Sequence, residues 1–194
     1  MILFHPFSPD PAYLERRSET IDWLVNNSVN ILDLGWEIIT YPCEKTSDYE
    51  DKFRELWGKD DLIIWEHDIV PTMEAIIRLA ECEYDLCAND YPFWKLGYQP
   101  IYGKPAPLKY RSSCRNVAED GSRQSDSVGE WADYVGFGLT KISRKFQVEH
   151  ELEMAHEDRW DNLDTRFCRW TYSLGIKWHV HRPMVKHNHY PEKR

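Results

Sequence analysis

The stretch Leu62-Ile63-Ile64-Trp65-Glu66-His67-Asp68-Ile69-Val70-Pro71-Thr72 decides the fold. Four apolar residues run without a polar break, the pattern of a strand buried on both faces. The run stops at two carboxylates two residues apart, and Pro71 and Thr72 then open a helix. A doubly buried strand that turns directly into a helix belongs to a β-α-β unit, and so to a sheet covered on both faces.

Working outward, the same alternation recurs. Residues 2–7 form a short apolar run that reads as a first, central strand, and Asp10 with Pro11 opens a helix. Its apolar residues Leu14, Ile21, Leu24 and Val25 recur at helical spacing. A second strand at 36–40 ends at Pro42, and a second amphipathic helix over 47–57 ends at Gly58. After the decisive strand, a third helix runs to about Cys82 and a fourth strand covers 84–88. The order β-α-β-α-β-α-β implies right-handed crossovers and an α/β fold with a mostly parallel central sheet and helices on both faces.

Residues 89–128 differ. They carry Pro92, Pro100, Pro105 and Pro107 with scattered glycine, serine and charge, and read as an irregular lid or loop. Regular structure is expected again at 131–138, in a helix over about 157–174 closed by Gly175, and in a last strand over 176–181. The chain of 194 residues fits a single domain. It is divided here into a nucleotide-binding half (1–88), the irregular segment (89–128) and an acceptor or catalytic half (129–194).

The net charge of −9 argues against broad nucleic-acid binding, which needs a basic surface. No apolar run is long enough for a transmembrane helix, and the N-terminal residues lack the features of a signal peptide. A cytoplasmic location is expected. The five cysteines, Cys43, Cys82, Cys87, Cys114 and Cys168, include no C-x-x-C pair. They read as reduced, mostly buried thiols, with a disulfide as the alternative.

Four groups of residues carry chemistry. Glu66 and Asp68 can converge on one hard divalent cation, at the carboxyl edge where open α/β sheets bind ligands; they would equally suit a solvated helix N-terminus. His179, His181, His187 and His189 place half of the eight histidines close together near the C-terminus. As a group they suit metal or phosphate ligation, although each alone fits a surface or core role. Asp158, Asp161 and Asp164 lie on the expected late helix, where an acid serves either as a general base or simply as a first-turn residue. Gly136-Phe137-Gly138 lets backbone approach a ligand closely, or makes an ordinary tight turn.

In this order, the acidic triplet, the helix after it, Asp85-Leu86-Cys87-Ala88, Gly136-Phe137-Gly138-Leu139, residues 160–164, and the histidines of 178–181 and 187–189 resemble the nucleotide-sugar-dependent glycosyltransferases of the GT-A (Rossmann-like) fold. The likeness is greatest to small single-domain viral and phage-type members, and spans about residues 1–190. It implies Asp68 as metal ligand, with Glu66 at the ribose or in the metal shell, and His187 or His189 completing the ligand set for Mn²⁺ or Mg²⁺. It implies Asp164 as the base of an inverting transfer, with Asp161 and Asp158 as rivals. His5, Pro6 and Phe7 would flank the nucleotide base, and Gly136 and Gly138 would border the donor. The partners it implies are a nucleotide-sugar donor and a glycan or protein acceptor. Glu66 departs from the family's Asp-any-Asp. Trp94, Tyr98 and Trp131 are candidates for stacking on a sugar face, or for packing. The competing readings are a metal-dependent hydrolase or nuclease using the His and Asp residues, and a non-catalytic binding or structural protein.

Overall fold

The structure, a computed structural model, describes residues 1–95, 109–118, 124–127, 129–154, 163–182 and 185–187. In chain order the elements are β1 (Ile2–Phe7), a 3₁₀ turn (Pro11–Tyr13), α1 (Leu14–Asp33), β2 (Glu37–Pro42), α2 (Thr46–Leu56), β3 (Leu62–Trp65), β4 (Ile69–Val70), α3 (Met73–Ala80) and β5 (Leu86–Asn89). There follow β6 (Pro92–Lys95), β7 (Lys109–Ser112), β8 (Arg115–Val117), β9 (Gln124–Asp126), β10 (Trp131–Ala132) and β11 (Leu139–Ile142). The last are α4 (Arg144–Glu149), α5 (Leu163–Ser173), β12 (Trp178–His181) and β13 (Lys186–His187).

The central sheet has seven strands in the order β10-β12-β5-β11-β3-β1-β2. β1 pairs in parallel with β2 and β3, and β12 with β5. β11 runs antiparallel between β3 and β5, and β10 lies antiparallel at one edge. The expected mostly parallel α/β sheet is therefore present, with antiparallel β11 at its centre. That strand and α4 were not foreseen. Lys141 sits mid-strand in β11 and breaks the apolar pattern that marks a buried strand. Its side chain is buried, and its ammonium donates to the carbonyls of Cys82 and Ala80 at 2.6 and 3.2 Å. Those bonds satisfy the amine at the end of α3, so the charge is accommodated without an apolar residue.

Alternation along the strands divides the core. Ile2, Phe4, Leu62, Ile64, Trp178 and Val180 face α2, α4 and α5, where Phe53, Phe137, Phe146 and Phe167 pack with their rings tilted or edge to face. Leu3, Ile63, Trp65 and Cys87 face α1 and α3. All four residues of β3 are fully buried, as the unbroken apolar run requires. On α1 the packed residues are Trp23, Leu24 and Ile31. Leu14, Ile21 and Val25, expected in the buried stripe, are exposed. The helix carries apolar residues on two sides, so of the residues selected by periodicity Leu24 alone packs on the sheet.

The described part of 89–128 is not irregular. β6 pairs with β7, and β8 with β9. Asp90 accepts from the hydroxyl groups of Ser112 at 2.6 Å and Ser113 at 3.2 Å, and pairs with Arg182 at 2.7 Å. The Val117 amide donates to Asp133 at 2.7 Å. Polar side chains thus anchor a segment whose composition resembles a loop. Of the expected helix over 157–174, α5 covers the part from Leu163 onward, and Gly175 ends it at a φ of +73°.

Two buried polar arrangements fix the framework. Glu50 on α2 pairs with Arg54 at 2.8 Å and with Arg166 of α5 at 2.5 Å. Burial pushes the Glu50 carboxyl up, but hydrogen bonds from Arg166 and Arg54 outweigh it and leave it below the usual carboxylate range. His5 is buried, and its Nδ1–H donates to the Trp65 carbonyl at 2.8 Å. Desolvation lowers the His5 pKa to about 4.

Glu50→Ala is expected to destabilise the fold by about 3–5 kcal/mol, because it removes the buried carboxylate that Arg166 and Arg54 share; chemical denaturation measures this. Folded His5 gives up its proton near pH 4, whereas an unfolded histidine does so near 6.5. Between those values the folded form binds fewer protons, so stability falls as the pH is lowered through the window, by up to about 3 kcal/mol. His181 shifts in the same direction. The comparison of wild type with His5→Gln isolates the His5 part: the variant's urea midpoint should depend less steeply on pH between 6.5 and 4.

Candidate functional site

Because β1, β2 and β3 run parallel, their carboxyl ends open on the same edge of the sheet, and a cleft of about 840 Å³ lies there. Pro6 and Phe7 line it from the end of β1, with Asp10 and Tyr13 from the turn that follows. Cys43, Glu44, Lys45 and Thr46 contribute from the loop between β2 and α2, and Tyr49 from α2. Glu66, His67 and Asp68 come from the end of β3, and Leu163 and Asp164 from the start of α5.

The acidic triplet is held in a fixed turn. The Glu66 amide donates to the Gly138 carbonyl at 3.0 Å, and the Ile69 amide returns to the Glu66 carbonyl at 3.2 Å. The Trp65 indole N–H donates to the Ile69 carbonyl at 2.7 Å, and the Thr20 hydroxyl donates to the same oxygen at 3.3 Å. Glu66 Oε1 accepts from the Tyr49 hydroxyl at 3.3 Å. Desolvation raises the Glu66 carboxyl well above its ordinary value, and the charges of Asp68 and Asp164 add to the rise. Asp164 is also raised, by burial first, although the Thr165 amide donates to its Oδ1 at 2.6 Å. Asp68 and Asp164 thus raise the proton affinity of Glu66, and the three carboxyl groups at one cleft form a hard-oxygen donor set, the chemistry that suits Mg²⁺ or Mn²⁺.

The structure brings together Pro6, Phe7, Glu66, Asp68 and Asp164 of the residues selected from sequence. It does not bring His5 to the cleft surface. That ring lies beneath, packed on Trp65 at 4.4 Å between centroids and bonded to its carbonyl. Gly136 and Gly138 pack against Tyr91. A β-carbon at Gly136 would meet the Tyr91 hydroxyl at 2.2 Å, and one at Gly138 the Tyr91 ring at 2.5 Å. The glycines make room for a buried tyrosine. Trp131 is not at the cleft either; it packs edge-on against Tyr84 and His179.

β13 pairs antiparallel with β4, which sets the His187 backbone opposite Ile69, next to Asp68 in sequence. Of His187 and Trp94 the backbone alone is described, while His189, Asp161, Asp158 and Tyr98 lie outside the described residues. His179 and His181 sit on β12, which β5 and β11 separate from β3. Sequence reasoning missed Tyr49, Tyr13 and the 43–46 loop. The rule that selected the triplet, position at a strand's carboxyl end, applies equally to the residues after Pro42 and would have found the loop. Tyr49 and Tyr13 carry no such signal.

No family model matches the chain, and no curated protein matches it. Among solved structures it is similar to A197 from STIV, with 18% identity over 100% of this chain and 87% of that one, at a TM-score of 0.57. It is also similar to the inositol-1-phosphate CTP transferase from T. maritima, with 11% identity over 96% of this chain and 88% of that one, at a TM-score of 0.50. At these identities the likeness is one of fold, and what it establishes is an α/β fold with a mixed, mostly parallel sheet, shared with a nucleotidyltransferase.

Proposed function

We propose that the chain is a metal-dependent glycosyltransferase of the GT-A type, moving a sugar from a nucleotide-diphosphate sugar to an acceptor hydroxyl. The observation that carries this reading is the convergence of Glu66, Asp68 and Asp164 in one cleft at the carboxyl edge of parallel strands. Asp68 and Glu66 would hold Mn²⁺ or Mg²⁺, with His187 or His189 as the further protein ligand. The cation, when bound, neutralises charge on the diphosphate leaving group. Phe7 and Tyr13 offer aromatic surface to the nucleotide base, and Lys45 a positive charge to the phosphates. Tyr49 fixes the Glu66 carboxyl by its hydrogen bond.

Asp164 acts on the acceptor. The acceptor oxygen bonds to the anomeric carbon, the bond from that carbon to the diphosphate oxygen breaks, and Asp164 takes the hydroxyl proton, giving inversion. Burial raises its proton affinity, which favours this role. The fold shared with a CTP transferase supports a second reading, nucleotidyl transfer from a nucleoside triphosphate in the same cleft. The two differ in product: sugar transfer releases a nucleoside diphosphate, and nucleotidyl transfer releases pyrophosphate.

UDP- or GDP-sugar should stabilise the protein only with Mn²⁺ or Mg²⁺. At 100-fold excess over Kd the gain is about 2.7 kcal/mol, a rise of roughly 5–10 °C in Tm. Asp68→Asn should abolish the metal-dependent part of the shift. No metal-dependent shift from any nucleotide-sugar would remove the donor-site reading, and a shift with CTP together with pyrophosphate release would select the second one. Asp164→Asn should lower turnover by about 10²–10⁴-fold while keeping the donor-dependent Tm shift. A variant that keeps its turnover would move the base to Asp161 or Asp158.

A further inference from the structure

A second group of metal-ligating side chains lies away from the cleft, on the face of the sheet covered by α3. Cys82 follows the end of α3, Cys87 lies on β5, and His179 and His181 lie on the neighbouring strand β12. The ladder sets His179 directly beside Cys87. Alternation turns His179 and His181 to one face together, while Trp178 and Val180 fill the core on the other. One ligand atom from each of the four residues lies within 4.8 Å of the others.

We infer that Cys82, Cys87, His179 and His181 form a tetrahedral zinc site that ties the end of α3 and strand β12 to β5. The dimensions fit. Zn–S bonds of about 2.3 Å and Zn–N bonds of about 2.0–2.1 Å give ligand–ligand edges of roughly 3.3–3.8 Å. The Sγ of Cys82 and Nδ1 of His179 are already 3.5 Å apart. The remaining edges close with side-chain shifts of an ångström or so. An independent observation points the same way: His181 Nε2 is buried and has no hydrogen-bond partner among the described residues. A buried, unpartnered imidazole nitrogen is costly, and coordination would satisfy it.

The donor set is specific. Two sulfurs and two imidazoles in tetrahedral arrangement select zinc over the oxygen-seeking cations suited to Glu66 and Asp68. Binding releases two thiol protons to solvent and changes no oxidation state. The resulting centre is neutral, so it adds no net charge beside the Lys141 ammonium, which donates to the Cys82 carbonyl. On binding, Cys87 gives up a 3.3 Å contact from its thiol to the Tyr84 carbonyl. The spacing Cys-x₄-Cys matches zinc sites in general, whereas His-x-His departs from the wider histidine spacing of helical sites. On a strand, residues two apart share a face, and the departure follows from that.

The test uses the full, untagged chain under reducing conditions in zinc-free buffer. It should bind one Zn²⁺ per chain, measured by elemental analysis. Substitution by Co²⁺ should give the visible absorption of a tetrahedral site with a thiolate-to-cobalt band. Cys82→Ser and His181→Gln should each weaken zinc binding by about 100-fold or more, beyond the loss typical of an outer-shell change. Asp68→Asn should leave the cobalt spectrum unaltered, which separates this site from the cleft. Failure to bind zinc tightly, or full retention of binding in both Cys82→Ser and His181→Gln, would overturn the assignment. So would a Cys82–Cys87 disulfide recovered in place of zinc from cells grown with added zinc.

Discussion

The Trp65 side chain and carbonyl hold together the part of the molecule on which the cleft depends. The parallel ladder between β1 and β3 ends at Phe4 opposite Ile64. Beyond it, the Trp65 carbonyl is buried and has no backbone partner from β1, and the His5 imidazole takes the place of the missing ladder bond. The Trp65 indole bonds in turn to the Ile69 carbonyl and closes the turn that carries Glu66, His67 and Asp68. An unmet buried carbonyl costs about 1–3 kcal/mol, so each bond confines the turn by more than a surface contact would. The triplet is thereby fixed from below, by groups that never reach the ligand.

This dependence explains which parts of the fold were legible. Leu62-Ile63-Ile64-Trp65 could be read as a doubly buried strand because all its neighbours in space are apolar or backbone, and every residue is fully buried. β11 could not, since its Lys141 is satisfied by carbonyls at the end of α3 some sixty residues earlier in the chain. A one-dimensional pattern carries no record of such a partner. The hairpins in 89–128 were hidden for a similar reason. Strands β7 to β9 are largely polar, and the segment is held by bonds between residues far apart in sequence, Ser113 to Asp90, Val117 to Asp133 and Asp90 to Arg182.

The site was legible to the extent that topology alone positions it. Any acid at the carboxyl end of a central parallel strand opens on the cleft, and Pro6, Phe7, Glu66 and Asp68 follow from that rule. The glycines did not follow from it, because an absent side chain does not disclose what fills its place. At Gly136 and Gly138 the occupant is Tyr91, whose own proton affinity is raised by burial and then by Glu66, Asp164 and Asp68. Even as packing, these glycines act on the site. They let a tyrosine lie close to the carboxylates, and a larger residue at either position would displace it.

The late histidines show how the fold turns one sequence feature into two. Read along the chain, His179, His181, His187 and His189 form a single cluster. In the sheet, β12 stands three strand positions from β3, about 14 Å away at the usual spacing. β13 instead folds back to pair with β4 beside the triplet. His179 and His181 therefore meet sulfur, and the His187 backbone lies opposite Ile69, beside the acidic triplet in sequence. In the two centres proposed above, ligand softness would keep the metals from exchanging: thiolate and imidazole would retain zinc, while a carboxylate cleft would favour Mg²⁺ or Mn²⁺. The separation also divides the roles. A closed tetrahedral site leaves no position for substrate, whereas carboxylates at an open cleft leave coordination positions for phosphate oxygens. A chain with both would stiffen its sheet at one place and keep a labile cation at the other.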